Sequence, residues 1–374
     1  MCLVAGVPAT SWAQPPDPIN STLVGFPGAA SGPWSAASAG LALADRWLGD
    51  EPIGNPAAAL PRAVSVSPLL LRSSRQDLRA DNRRFDEQAA FFDAAGGWFG
   101  YSLGGVSLGL YAFQPVVRLE ENAFERGQRG GLAPPAVIRT RSRTRELRAG
   151  LMASCGRGPL RFGLAGEWTR RDDSYRYLEM PGTPQQDERS VSFSGEGFGL
   201  QAGALLEIGR SDAGSWVLGG AIRYVPALSL SGRQSLVSLG SDTTLSVSAE
   251  REAGWEGGLS ARYAVTPAFR LLASLGGRSD EEWQGFGVTS GAAVMWSVGG
   301  EYHDSTEPWT ARFGVGGEQQ NGVPEPRAGL VGLGIGWRWG KSGLDVGVVR
   351  RSFARTDHPT SYDDRLVGSV RVPL

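Results

Sequence analysis

Regular alternation of apolar and polar residues is the dominant pattern in most of this chain. In residues 161–169, Phe162 and Leu164 fall on one face, whereas Arg161 and Glu167 fall on the other. The same period of two recurs in three further stretches, residues 216–225, 309–316 and 331–339. A period of two is the signature of β-strands. The pattern therefore predicts an all-β fold, with about fourteen strands between residue 63 and the C-terminus.

A row of aromatic residues indicates where the apolar faces of these strands lie. When the strands are counted backward from the C-terminus, eight aromatic residues fall near periplasmic strand ends on the apolar face: Trp98, Phe162, Trp216, Tyr263, Phe269, Tyr302, Trp309 and Trp339. In a transmembrane barrel the apolar face meets lipid, and aromatic side chains collect at the membrane interface. We therefore expect residues 62–374 to form an antiparallel, up-and-down transmembrane β-barrel in the outer membrane.

The connections between the strands alternate between short and long. Residues 103–106 and 340–343 form two of the short turns. The long connections are strongly charged and comprise residues 72–88, 118–145, 170–191 and 355–364. Short periplasmic turns and long outer loops are typical of such barrels, so the charged set is expected in water or against lipopolysaccharide. The last strand, residues 366–374, resembles the signal read by the barrel-insertion machinery, although it ends in Leu374 where most such strands end in an aromatic residue.

The N-terminal region has a different composition. Residues 1–13 are apolar and end in a small-residue pattern, which is expected of a signal peptide, with a floppy terminus as the alternative. Residues 14–61 are rich in Pro, Ala, Gly and Ser, which favours a small plug or a flexible linker. Because about eight strands already suffice to form a filled barrel, about fourteen enclose a lumen that wall side chains cannot fill. Residues 14–61 are the segment available to close it.

The composition argues against several other classes of protein. The chain contains 54 Gly and 23 Pro, which long helices do not tolerate. No run of about 18 apolar residues, as a transmembrane helix needs, occurs in the sequence. The formal net charge of −1 gives no electrostatic reason to expect nucleic acid as a partner. If the signal peptide is removed, Cys155 has no cysteine to pair with.

The sequence offers little support for catalysis or for a metal. The two histidines, His303 and His358, fall at opposite ends of the predicted barrel, and a triad built from the adjacent residues 303–305 lacks the geometry for hydrogen bonding in series. Carboxylates at 172–173 and 280–282 offer weak calcium ligands, with solvated loops as the alternative. We expect no enzyme activity, no cofactor and no resident metal.

Three short stretches resemble one family of outer-membrane barrels. Residues 39–45, residues 55–60 and residues 255–263 resemble segments of the FadL family of long-chain fatty acid transporters. The resemblance implies passive uptake of hydrophobic compounds such as long-chain fatty acids. Related barrels of the same family pattern serve other hydrophobic compounds, and one branch serves protein secretion. A secretion-associated or purely structural barrel is therefore the alternative function.

The resemblance also implies which residues carry the function. The N-terminal segment would fold into the lumen as a hatch containing Asp45, Asn55 and Pro56. A hydrophobic ligand would leave sideways through a break in the third strand, for which Pro115 is the candidate, unless Pro115 lies above the membrane zone. Six charged residues are candidates for lining the lumen, either in ion-pair ladders or simply in contact with water: Arg148, Glu167, Arg223, Glu256, Arg262 and Arg312. The expected partners are this ligand, outer-membrane lipid, lipopolysaccharide and the insertion machinery.

Overall fold

The computed structural model of this chain describes most of the predicted barrel and a short part of the N-terminal segment. The described residues are 54–58, 63–80, 83–103, 105–126, 136–179, 187–209, 213–238, 241–284, 288–303, 306–321, 327–354 and 361–373. The predicted signal peptide, Asp45, His358 and most of the predicted hatch lie outside these residues.

The described chain is built from eighteen β-strands. They are β1 (Ala63–Ala80), β2 (Arg83–Leu103), β3 (Val106–Arg126), β4 (Ala136–Arg157), β5 (Leu160–Glu179), β6 (Asp187–Ile208), β7 (Trp216–Val225), β8 (Leu228–Ser238), β9 (Ser241–Arg251), β10 (Gly254–Ala264), β11 (Phe269–Arg278), β12 (Glu281–Gln284), β13 (Val288–Ser290), β14 (Ala293–His303), β15 (Trp309–Gln320), β16 (Arg327–Trp339), β17 (Ser342–Ala354) and β18 (Ser361–Pro373).

Four of the wall crossings are each made by two strand segments. The pairs β7/β8, β9/β10, β11/β12 and β13/β14 are each separated by two residues and pair with the same neighbouring crossings. Eighteen segments minus four breaks give fourteen crossings. Hydrogen bonds at the breaks, such as that from Ser279 N to Trp255 O at 2.8 Å, keep the wall joined there.

Pairing between the first and the last strand closes the sheet into a barrel. β1 pairs with β18 from Ala63 opposite Pro373 to Arg75 opposite Ser361. Every pairing is antiparallel, and neighbouring crossings follow one another along the chain. The predicted up-and-down barrel of fourteen strands is therefore confirmed. Cys155 lies near the end of β4 with its side chain exposed.

The two faces of the wall differ in polarity as the alternation predicts. On β16, Val331, Leu333 and Ile335 are each more than half exposed on the outside. On β5, Leu164 is exposed on the outside whereas Glu167 is buried on the inside. An apolar exterior around a polar interior is the arrangement of a transmembrane barrel of the outer-membrane type. Within the described residues, no helix is long and apolar enough to cross a membrane.

The predicted aromatic row is largely on the outer face. Phe162, Trp216, Tyr302 and Trp339 are exposed there, and the rings of Trp216 and Tyr263 stack at 4.5 Å between centroids. Three further residues of the predicted girdle are partly buried, namely Tyr263, Phe269 and Trp309.

The prediction that Trp98 belongs to the outward-facing aromatic row is wrong, since Trp98 is buried and only 3% exposed. Trp98 and Phe99 are adjacent on β2, so only one of the two rings can face lipid. The alternation set by Phe99 and Tyr101, which are both exposed, turns Trp98 inward.

All four predicted long loops are shorter than expected. The strands on either side remain paired as far as Ala80 opposite Arg83, Arg126 opposite Ala136, Glu179 opposite Asp187 and Phe353 opposite Ser361. Much of the charged sequence therefore continues the strands beyond the apolar band. Backbone pairing does not depend on apolar side chains, and opposite charges across the ladder, such as Arg176 and Glu188 at 2.7 Å, support it.

Candidate functional site

The wall has a gap in its hydrogen bonding between β2 and β3. These strands pair from Leu103 opposite Val106 to Gly96 opposite Phe113, and no further pair joins them in the described part of the chain. Beyond that point β2 stays paired with β1, and β3 stays paired with β4. The two ladders therefore separate part of the way up the wall.

Irregularities flank the gap on both sides. The β1–β2 ladder shifts register between Ser67 and Pro68, and the β3–β4 ladder shifts between Phe113 and Val116. In the second shift three steps along β3 match two along β4, so β3 carries one extra residue, as a β-bulge does. Pro115, the predicted site of a break in the third strand, lies within this bulge and has no N–H to donate.

Gly96 marks the last β2–β3 pair before the gap. Its φ of +153° is a conformation that residues with a Cβ rarely adopt. A Cβ at this position would overlap the Ala112 carbonyl oxygen and the Phe113 ring. Glycine thus allows β3 to approach β2 closely just before the two strands part.

A cavity of about 870 Å³ lies at this point, and residues from both faces of the wall line it. From the inside it is lined by Trp98, Tyr111 and Phe113, and from the outside by Phe99 and Leu110. No Arg or Lys is among the described residues that line it. The cavity is therefore a mainly apolar, aromatic-walled site at the point where β2 and β3 stop pairing.

A second apolar hollow lies on the outer surface beside this cavity. It has a volume of about 910 Å³ and shares Phe99, Leu110 and Leu151 with the first. Its floor includes the small residues Ala153 and Gly166, and its far rim is formed by Tyr224 and Trp255. The two cavities therefore adjoin one another through these shared apolar residues.

Residues 54–58 of the N-terminal segment pack against the inner face of β4–β6. Asn55 is fully buried and donates from Nδ2 to Ala204 O at 3.1 Å, and its Oδ1 accepts a hydrogen bond from Ala57 N at 3.0 Å. Arg161 Nε donates to Ala57 O at 3.2 Å. The wall makes room for Asn55 and Pro56 with glycine, since a Cβ at Gly203 would overlap Asn55 and one at Gly163 would overlap Pro56.

Four of the six predicted lumen residues come together in one ion-pair network. Arg148 on β4 lies 3.2 Å from Glu256 on β10, although three strands separate them in the wall. Arg223 joins Glu256 at 3.2 Å and Glu167 at 2.9 Å. Tyr111 donates its hydroxyl to Glu167 at 2.6 Å.

The network also contains residues that the sequence analysis did not single out. Glu146 is almost completely buried and accepts from Arg148 Nε at 2.8 Å, with Arg251 at 3.1 Å and Arg171 at 3.8 Å. Arg171 in turn pairs with Asp173 at 2.7 Å. The described network thus pairs four arginines with four carboxylates. In the sequence, these residues could have been found from the spacing of two between opposite charges, because that spacing places both charges on the same face of a strand.

The other two predicted lumen residues lie elsewhere in the barrel. Arg312 on β15 is paired with Glu301 at 2.8 Å and with Asp345 at 3.3 Å. Arg262 is close enough to Glu301 to interact with it electrostatically. All six residues therefore line the inside, but in two separate groups. His303 Nδ1 lies 3.0 Å from Thr310 Oγ1. Residues 304 and 305, the other two members of the adjacent triad, lie outside the described residues.

No protein-family model matches the sequence. No curated protein matches it either.

Several solved barrels have a similar fold. A FadL homologue of Pseudomonas aeruginosa is 15% identical, with a TM-score of 0.58 over 86% of this chain and 93% of that one. The toluene transporter TodX of Pseudomonas putida is 16% identical, with a TM-score of 0.62 over 91% and 96%. The toluene transporter TbuX of Ralstonia pickettii is 13% identical, with a TM-score of 0.62 over 95% and 100%. At these identities the likeness establishes the fold, and the chain is a barrel with the fold of the FadL-type outer-membrane channels.

Proposed function

We propose that this protein is a passive outer-membrane channel for hydrophobic compounds, such as long-chain fatty acids, and that they leave the barrel sideways between β2 and β3. The observation that carries the proposal is the gap in strand pairing beside Pro115, where a mainly apolar cavity is lined by residues from both faces of the wall. If β2 and β3 stayed paired at this height, the wall would offer an apolar compound no such exit.

The ion-pair network gives a physical reason for the sideways route. Its charges are buried and paired with one another, and they lie on the inner face of β4, β5, β7, β9 and β10. An apolar compound passing among them would separate buried ion pairs without offering replacement partners, which is strongly unfavourable. The apolar cavity and the outer hollow give the same compound a path with little desolvation of polar groups.

The names of the structural neighbours support the class of substrate. Two are toluene transporters, and another is described as a monoaromatic hydrocarbon channel. A hydrophobic small molecule is the shared element, and the FadL resemblance of the sequence adds long-chain fatty acids to the candidates. Outer-membrane lipid would receive the compound, while lipopolysaccharide and the insertion machinery would be met at the cell surface and during assembly.

Residues 14–61 are proposed to act as the hatch that closes the lumen. The docking of Asn55 and Pro56 against inward-facing glycines supports this role. Asp45, which lies outside the described residues, is included through the sequence resemblance alone.

Deletion of Pro115 tests the sideways exit. Because β3 carries one extra residue between Phe113 and Val116, removing one residue returns β3 to uniform register with β4. We expect the deletion to straighten β3, narrow the gap and lower uptake of radiolabelled oleate and toluene several-fold in a Gram-negative host without its own channel for them.

Pro115→Ala is the matched control, since it keeps the extra residue and should keep most of the uptake. Surface display and heat-modifiable gel migration would establish that both variants are folded. Unchanged uptake in the deletion variant would argue against exit through this gap. No uptake by the wild-type barrel would favour a secretion-associated or structural role instead.

A further inference from the structure

Trp98 has a polar group that the described structure does not satisfy. Its side chain is 3% exposed, and its indole Nε1 has no hydrogen-bond partner among the described residues. Buried polar groups in folded proteins nearly always have a partner, and a buried tryptophan N–H is usually no exception. Such an unsatisfied donor calls for an acceptor that the described residues do not supply.

The donor belongs to the cavity at the gap. Trp98 lines its inner side together with Tyr111 and Phe113, whose rings lie 6.5 Å apart. The Tyr111 hydroxyl already donates to Glu167 at 2.6 Å. Of these two aromatic donors, Trp98 is therefore the one left to meet a molecule in the cavity.

The lining also limits the charge of that molecule. The described residues that line the cavity include no Arg or Lys, so none of them offers a direct ion pair to a carboxylate. A neutral carbonyl or ether oxygen needs no ion pair and accepts a hydrogen bond from an indole N–H. A cavity of about 870 Å³ is in the size range that holds a small organic ligand.

We propose that Trp98 is a specificity-determining residue, which donates a hydrogen bond to one neutral oxygen of an otherwise apolar ligand as that ligand crosses the wall. The preferred substrates at this step are aromatic or aliphatic compounds with a single uncharged oxygen acceptor, such as aryl ketones. This inference rests on the proposed function and narrows its substrate class.

Two ligands of matched size test the proposal, namely hexanophenone and hexylbenzene, which differ by a carbonyl in place of a methylene group. Their dissociation constants are measured on the full detergent-purified chain and corrected for partition into micelles. Wild type should bind the ketone about fivefold more tightly, as one added hydrogen bond predicts. Trp98→Phe keeps an aromatic ring but removes the donor, so the preference should vanish while hexylbenzene binding stays within about twofold.

Trp337→Phe is the matched control, because Trp337 is exposed on the outer face of β16 and should not affect the preference. A Trp98→Phe barrel that still favours the ketone would overturn the proposal. Equal binding of both ligands by wild type would overturn it as well, and that result requires no variant. If wild type binds neither ligand, the proposed channel function fails; if it binds both without preference, only the role of Trp98 fails.

Discussion

Charged residues inside the barrel are stabilised by ion-pair partners on other strands. Glu146 and Arg148 sit two apart on β4, so both point into the lumen, where Arg251 reaches Glu146 from another part of the wall. A buried carboxylate surrounded by arginines is stable only as long as the charges balance. The stability of the interior is therefore most sensitive to substitution of single buried charged residues.

Glu146→Gln should strongly destabilise the barrel. The substitution keeps the shape of the side chain but leaves Arg148, Arg171 and Arg251 with one carboxylate fewer, which typically costs about 3–5 kcal/mol for a buried pair. Urea unfolding in lipid vesicles measures the change in the free energy of unfolding. Asp172→Asn removes a carboxylate from an exposed pair with Arg170 and should leave stability unchanged within error. Equal losses in the two variants would contradict the importance of burial.

At the scale of elements, glycines decide where another segment can approach a strand. Gly163 lies on the inner face of β5 directly beneath Pro56, whereas Gly166 lies on the outer face and would meet nothing within 4 Å. These two positions are only three residues apart, yet an added methyl group would meet Pro56 at the first and nothing at the second. The docking of residues 54–58 depends on the first and not on the second.

Gly163→Ala should loosen the proposed hatch. The added methyl group would overlap Pro56 and displace residues 54–58 from the wall, which opens a path for small ions. We expect several-fold higher single-channel conductance in planar bilayers than for wild type. Gly166→Ala makes the same chemical change on the lipid side and should leave the conductance near the wild-type value. A closed Gly163→Ala channel would show that these contacts do not seal the lumen.

At the scale of the whole molecule, the apolar exterior fixes how the barrel sits in lipid. Leu333 lies midway along β16 and is 62% exposed, while Gly329 lies on the same outer face close to the start of that strand. A charge on the lipid face is most unfavourable near the middle of the bilayer and is tolerated near the interfaces.

Leu333→Arg should therefore destabilise the folded barrel by about 2–4 kcal/mol, whereas Gly329→Arg should have a much smaller effect. The free energy of folding into phospholipid vesicles measures both. The two substitutions share strand, face and introduced residue, so depth is the main difference between them beside the loss of the Leu333 side chain. Similar values would mean that the apolar band is centred elsewhere on β16.

Much of the fold was predictable because the information is local. Successive side chains on a strand point to opposite faces whatever the strand pairs with, so the faces of Leu164, Glu167 and Leu333 followed from spacing. The inward position of Arg148, Arg223 and Arg312 followed in the same way. Trp98 and Phe99 show the limit, since adjacent aromatics leave the choice of outward ring to the register of the strand.

What the sequence determined by itself was the strand class, the count of crossings, the two faces and the membrane setting, all of which follow from a period of two and an apolar face. The tertiary structure decided which charges meet, where β2 and β3 stop pairing and which residues line the cavity there. Arg148 and Glu256 are 108 residues apart, and only the curvature of the closed wall brings them to 3.2 Å. The gap likewise depends on how far β2 and β3 pair, which is set by bulges and by the strands on either side and not by the local pattern of either strand.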